Sequence, residues 1–266
     1  MNRTSRWMPL LCLSLALTGA PHAHAQGKPI ADEELSDVWG QALFSLTNTS
    51  DGTYDFSRIT LNADIKLNAN LGGLRLGEYT SSIRNGTGAD IDIGKLQFGR
   101  TDGTLAQRTV AVTDPYIEFV YRNVANSATR EVVGMRLGFG GIQGDIGLQM
   151  NAVSGSLLID AGSSGSVDSR NDTLGGKRWD GSAATCTNPA ACQIPLSQIG
   201  GVTAGNASGA SRDFFLSVLK SAVTFPTNAA TGLPTDTAMA GFWLNWRDRL
   251  SALNTTGAVP ANVGRK

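Results

Sequence analysis

Histidine is the scarcest functional side chain in this 266-residue chain: only His22 and His24 occur, both within the first 25 residues. Beyond that point a Ser-His-Asp triad and a Cys-His dyad are excluded. So are His-ligated zinc, copper and haem. No side chain there has an unperturbed pKa near neutrality. Cysteine is almost as rare, with Cys12, Cys186 and Cys192 alone, and two thiols are too few for a structural zinc site. Charged residues make up 17% and balance to zero net charge, and aromatics make up 7%. A polybasic nucleic-acid binder is excluded by this balance, and so is a highly charged disordered tail. The enzyme chemistries left are carboxylate pairs, Ser-Lys dyads, Tyr or Lys bases and oxygen-ligated metals, and no cofactor is expected. What is abundant is glycine, at 32 residues, with Asn, Ser and Thr. That composition suits a β-rich exported protein.

The N-terminus carries an export pattern. Arg3 and Arg6 form a basic lead, Leu10 to Leu17 an apolar stretch, and Ala23-His24-Ala25 an A-x-A cleavage site. Residues 1–25 are therefore expected to be a secretory signal peptide, with a mature chain from Gln26. Their apolar stretch is about half the ~20 residues of a spanning helix. Cleavage would remove both histidines and leave 20 basic against 22 acidic residues, a net charge of −2. In an oxidising compartment Cys186 and Cys192, a C-x5-C pair, are expected to form a structural disulfide.

Periodicity gives the fold class. Ile59, Leu61, Ala63, Ile65, Leu67, Ala69 and Leu71 alternate with polar residues through 13 positions. This predicts a long strand with one buried and one wet face, divided if a bend or bulge intervenes. Further β-prone runs follow up to Ile159, among them Tyr116–Tyr121. Asn85-Gly86 signals a hairpin and Gly140-Gly141 a turn. The predicted fold is mainly β: an antiparallel meander, sandwich-like or curved sheet with two C-terminal α-helices. The expected organisation is a β-rich domain over 26–160, a Gly/Ser-rich loop region with the disulfide over 161–210, and a helical segment over 211–266 packed on the sheet. Ser211–Phe225 places Phe214, Phe215, Val218, Leu219 and Ala222 on one helical face. Asp236–Leu253 does the same for Met239, Phe242, Trp243, Trp246 and Leu250. Phe242, Trp243 and Trp246, beside Arg247 and Arg249, would suit core packing, a partner or a bilayer interface.

Candidate chemistry is sparse. Asp90 and Asp92 stand i, i+2 on a strand, about 7 Å apart, a separation within reach of a glycosidase pair. Alternating Asp on a wet face needs no function. Asp168, Asn171 and Asp172 could gather oxygen ligands for calcium but lack EF-hand spacing. Gly138, Gly140, Gly141 and Gly144 are followed by no helix that could hold a phosphate. No catalytic or metal residue is assigned.

The order of leader, acidic segment and Gly-punctuated β-prone chain resembles the FilA-like pilus-system proteins of Gram-negative bacteria. The resemblance rests on ADEELSDVWGQALFSL (31–46), where Glu34, Leu35, Ser36, Val38, Gly40 and Gln41 fit an acidic-L-S-x-V-x-G-Q signature. Trp39 stands where that signature usually has a smaller residue. The resemblance implies a surface or pilus-associated role and carries no active-site residues. The leading expectation is a non-enzymatic envelope or cell-surface structural protein, with envelope or pilus-like assembly proteins as partners and outer membrane, surface or periplasm as location. An outer-membrane β-barrel or membrane-embedded sheet, and a periplasmic carrier of an apolar ligand, are the alternatives.

Overall fold

The structure, a computed structural model, describes residues 43–82, 86–170, 194–226 and 237–263. All belong to the second of two units into which the chain divides, Gly40–Lys266. It is mainly β. The strands are β1 (Phe44–Ser50), β2 (Asp55–Leu61), β3 (Asp64–Leu67), β4 (Ala69–Ser81), β5 (Gly86–Phe98), β6 (Val110–Arg122), β7 (Glu131–Val153), β8 (Gly155–Asp160), β9 (Ser166–Asp168), β10 (Gly201–Ala204), β11 (Phe215–Leu219), β12 (Val223–Thr224), β13 (Thr237–Ala238), β14 (Gly241–Trp246) and β15 (Leu250–Ala252).

Strand β7 organises them. It is 23 residues long and pairs on both edges in both halves. Its first half lies between β6 and β11, its second between β5 and β10. From β10 the hydrogen bonding continues through β15, β8 and β14 to β11, and so returns to β7. Six strands thus close a ring. β6, β2 and β1 extend the sheet outward from one half of β7, with β3 also on β6. The β4–β5 hairpin extends it from the other half. Gly144, at φ +135°, lies between the two halves, in a backbone conformation that favours glycine.

Two apolar cores sit on opposite faces of the sheet. The larger one fills the ring and runs out under the β4–β5 hairpin, with Ile142, Ile146, Leu157, Ile159 and Val202 at its centre. The smaller, around Phe56, Phe215, Phe225 and Trp243, lies beneath the segment that carries β12 and β13.

Several expectations are corrected. The C-terminal helices are absent from the described residues: Ser211–Phe225 contributes β11 and β12, and Asp236–Leu253 contributes β13, β14 and β15. The cause is apolar side chains on both faces, whether or not the second face is covered. Phe215, Ser217 and Leu219 point into the smaller core, while Phe214 and Leu216 border the larger. A strand apolar on both sides reads as a continuous apolar run, which helical spacing also satisfies. Gly241 at φ +82° and Arg249 at φ +55° then break any helical path. Gly140-Gly141 makes no turn and lies inside β7. The 161–210 region supplies β9 and the ring strand β10. Cys186 and Cys192 lie outside the described residues. β4 and β5 pair antiparallel with Ser81 opposite Gly86, as a hairpin there requires, while Asn85 itself lies outside the described residues.

The 13-position alternation is divided, as a bend would require, into β2, β3 and the start of β4. Its expected buried face is not buried: Ile59, Ile65 and Leu71 are exposed, and Leu61, Leu67 and Ala69 only half-buried.

Ring closure depends on close backbone contact between β8 and β14. A Cβ on Gly155 would come 2.2 Å from the Leu244 carbonyl oxygen, whereas one on Gly72 would meet nothing within 4 Å. Gly155→Ala should therefore destabilise the protein by about 1–3 kcal/mol, the usual cost of overpacking. Gly72→Ala should leave stability nearly unchanged. Urea denaturation of both variants checks this.

Candidate functional site

The outer sheet carries two cross-strand rows of opposite character. On one face Leu46, Ile59, Ile117, Leu137, Leu216 and Leu244 stand directly opposite one another across six strands. Leu244 is buried, but Leu137 is 46% exposed, Ile59 39% and Leu46 67%. The next row on that face is Phe119, Met135, Val218 and Phe242, with Val218 also exposed. Single exposed apolar residues need no explanation, but a contiguous patch marks an interaction surface.

At its inner end this face runs into a cavity of about 120 Å³ between the β4–β5 hairpin and β11–β14. Every side chain lining it is apolar, including Leu76, Ile91, Ile142, Met150, Leu216 and Trp246. Phe139 stacks on Phe214 at 5.1 Å, and Phe214 meets the edge of Trp246 at 5.1 Å. At its outer end the face stops at β1. That strand pairs only with β2 among the described residues, and all seven of its residues are exposed.

On the opposite face, one residue along each strand, runs the row Arg58, Glu118, Arg136, Ser217. The Glu118 carboxylate accepts from Arg58 Nε at 2.9 Å and from Arg136 Nε at 2.5 Å. Arg136 is buried, with its guanidinium 4.1 Å from the Phe225 ring and 5.0 Å from the Phe215 ring. Arg58 lies 4.1 Å from the Tyr116 ring. Gly138 makes room for that ring, which a Cβ would meet at 2.4 Å. Each charge here is paired, as burial demands. Its role is to fix the register of β2, β6 and β7.

Two further carboxylate clusters are also structural. Asp168, at the end of β9, accepts a bidentate pair from Arg247, at 3.1 and 3.0 Å, and also bonds Arg170. Burial pushes its carboxyl up, but the hydrogen bonds from Arg170 and Arg247 and the charge of Arg247 outweigh this and hold it at about 2. Asp213 and Asp248 cap each other's turns. Asp213 accepts from the Asp248 and Arg247 amides at 3.0 and 2.8 Å, and Asp248 accepts from the Arg212 amide at 3.1 Å. Burial raises the Asp213 carboxyl above the ordinary range despite these amide bonds.

The residues singled out from the sequence fall in three places. Phe242 and Trp246 share the face of the larger core, with Phe242 half-buried at the border of the open row. Trp243 points the other way into the smaller core. Strand alternation thus separates three aromatics that a helix would have grouped, and only Phe242 remains near a contact surface. Asp90 is buried and accepts the Phe242 amide at 2.9 Å. Asp92 accepts from Asn151 at 3.0 Å and pairs with Arg75 at 3.4 Å. The two aspartates therefore serve separate structural bonds. Asn171 and Asp172 lie outside the described residues, and Asp168 is occupied by arginines. Among the described residues no group of three or more His, Cys, Asp or Glu could hold a metal. The Arg58–Glu118–Arg136 row escaped the reading of the sequence. Its signal was a charge inside each of two apolar β-prone runs, YIEFVY and VVGMRLGF.

Comparison with protein-family models, curated proteins and solved structures finds no match to this chain.

Glu118→Ala leaves Arg136 buried beside a vacated partner, and should cost about 3–5 kcal/mol in urea denaturation. Asp168 has a second signature. Its folded pKa lies below the unfolded value of ~3.9, so its contribution is present above that value and lost as pH falls toward about 2. Asp168→Asn should thus be less stable than wild type at neutral pH. The gap should narrow in denaturation curves taken from about pH 5 down to 2.

Proposed function

We propose that this protein is an exported, non-enzymatic structural component of the cell envelope that works by contact, joining a surface or pilus-like assembly through β1 and the open apolar face. One observation supports the reading above the others: among the described residues the strongest amphipathic pattern in the sequence stays uncovered and leads to a sheet edge with no further strand on it. An edge strand presents unpaired amides and carbonyls, and proteins blunt it with charge, proline or kinks. β4, the hairpin's outer strand, carries such devices in Arg75, Glu78 and the kinked Gly73 and Gly77. β1, Phe-Ser-Leu-Thr-Asn-Thr-Ser, has none. A partner strand added there would complete the hydrogen bonds and extend the apolar rows at the same time. The envelope location rests on the leader pattern and on the resemblance in residues 31–46.

The ring itself is not dimensioned as a membrane-spanning barrel. β8, β10, β11, β14 and β15 have six, four, five, six and three residues, against the 9–11 of a tilted spanning strand. Its interior is apolar and packed, where a water-filled channel would be polar.

Placing charge on the edge tests the assembly. Leu46→Lys with Thr47→Lys should leave the circular dichroism spectrum unchanged, because both side chains are exposed. It should shift the exported protein from the envelope or high-mass fraction to a soluble monomer, read by fractionation and sedimentation velocity. Recovery of the wild type as a soluble monomer, or turnover of a substrate by it, would overturn the reading.

A further inference from the structure

We propose that the cavity behind the β4–β5 hairpin is a binding site for one hydrocarbon chain, the acyl chain of a lipid or fatty acid, with its tail end inside the cavity. The cavity itself stands apart from β1, while the row leading out of it belongs to the open face that the assembly reading also uses; lipid binding is read without any assembly, so the two readings fail separately.

The interior chemistry sets the ligand class. The cavity measures about 120 Å³ and presents no polar side chain. A water held there would need two to four polar partners, so the space is dry. Apolar cavities of about 150 Å³ stay empty of water and take up purely apolar ligands. A void in a core destabilises in proportion to its volume, and a hydrocarbon occupant restores the missing contacts. The absence of any inner polar group also fixes the ligand's direction: the tail enters and the head stays outside.

The approach to the cavity sets the ligand's shape. Leu74 and Leu76 on β4 face Phe214 and Leu216 across it, and all four are half-buried. They form a mouth open to solvent. From Leu216 the apolar row continues through Leu137, Ile117 and Ile59 to Leu46. Those are four strand spacings, roughly 19 Å. The hydrocarbon of one bilayer leaflet is half of the ~30 Å core, about 15 Å. An extended acyl chain therefore fits along the row with its tail in the cavity. The row carries no polar side chain, so it cannot reward a peptide's amides or a sugar's hydroxyls.

A free fatty acid and a membrane phospholipid share this chemistry, and two arms separate them. The purified, delipidated full exported chain is titrated with hexadecanoate by calorimetry, and is sedimented with vesicles of phosphatidylethanolamine and phosphatidylglycerol. Saturable 1:1 binding of hexadecanoate without sedimentation identifies a carrier of free chains. Co-sedimentation identifies a bilayer acyl chain as the occupant. Either supports the site only if Leu76→Trp, which fills the mouth, weakens it at least tenfold while the melting temperature holds. Leu76→Ala, which widens the mouth, should keep binding and shift preference toward longer chains, so misfolding of the tryptophan variant leaves the test intact. Absence of both binding and sedimentation overturns the proposal. So does binding that neither variant changes.

Discussion

Closure of the six-strand ring through β7 is the constraint on which the other features depend. Because one strand holds four neighbours, it sets the position of the outer sheet, the β4–β5 hairpin and the ring at once. Its pairing passes from β6 to β5 around Gly144, so its two halves hold separate partners. Glycine content, which first reads only as flexibility, is here a packing requirement. At Gly155 and Gly138 neighbouring backbone or ring atoms occupy the space a side chain would take.

The two cross-strand rows show how one sheet meets opposite demands. Arg58, Glu118 and Arg136 lie on the face that the β12–β13 segment covers. Ile59, Ile117 and Leu137 lie on the face left open. The arrangement inverts the usual expectation, with paired charge inside and apolar side chains outside. Buried ion pairs are weak sources of stability, but a mismatched one is expensive. A one-residue slip of β6 would move Glu118 to the open face and strand both arginines. The ionic row thus specifies register, and by doing so keeps the apolar row aligned across its strands.

The β character of the chain was legible because alternation over 59–71 and the aromatic and β-branched content of Tyr116–Tyr121 are local properties. The end of the fold was not. β11 and β14 carry apolar side chains on both faces, so their periodicity vanishes and Phe214 to Leu219 fits a helix as well as a strand. The ring was hidden because its strands other than β7 are three to six residues long and paired across large sequence distances. β10, inside a stretch rich in glycine and serine, meets β15 some fifty residues later. For the site, the amphipathic pattern identified the right residues and gave the wrong sense. Ile59 and Ile65 were expected inside because nothing local says whether another layer will cover them. The grouping of Phe242, Trp243 and Trp246 failed for the related reason that a strand divides what a helix collects.

The outer sheet has one more consequence, mechanical in kind. β1, β2, β6 and β7 are antiparallel neighbours joined edge to edge, and β7 belongs to a closed ring. A pull along the direction of β1 loads the bonds of each ladder together, in shear, and none can open before its neighbours. A pull across the strands would open the same ladders one bond at a time. The fold is therefore strong against a pull along β1 and weak against one across it, and the ring anchors the far end of the load path.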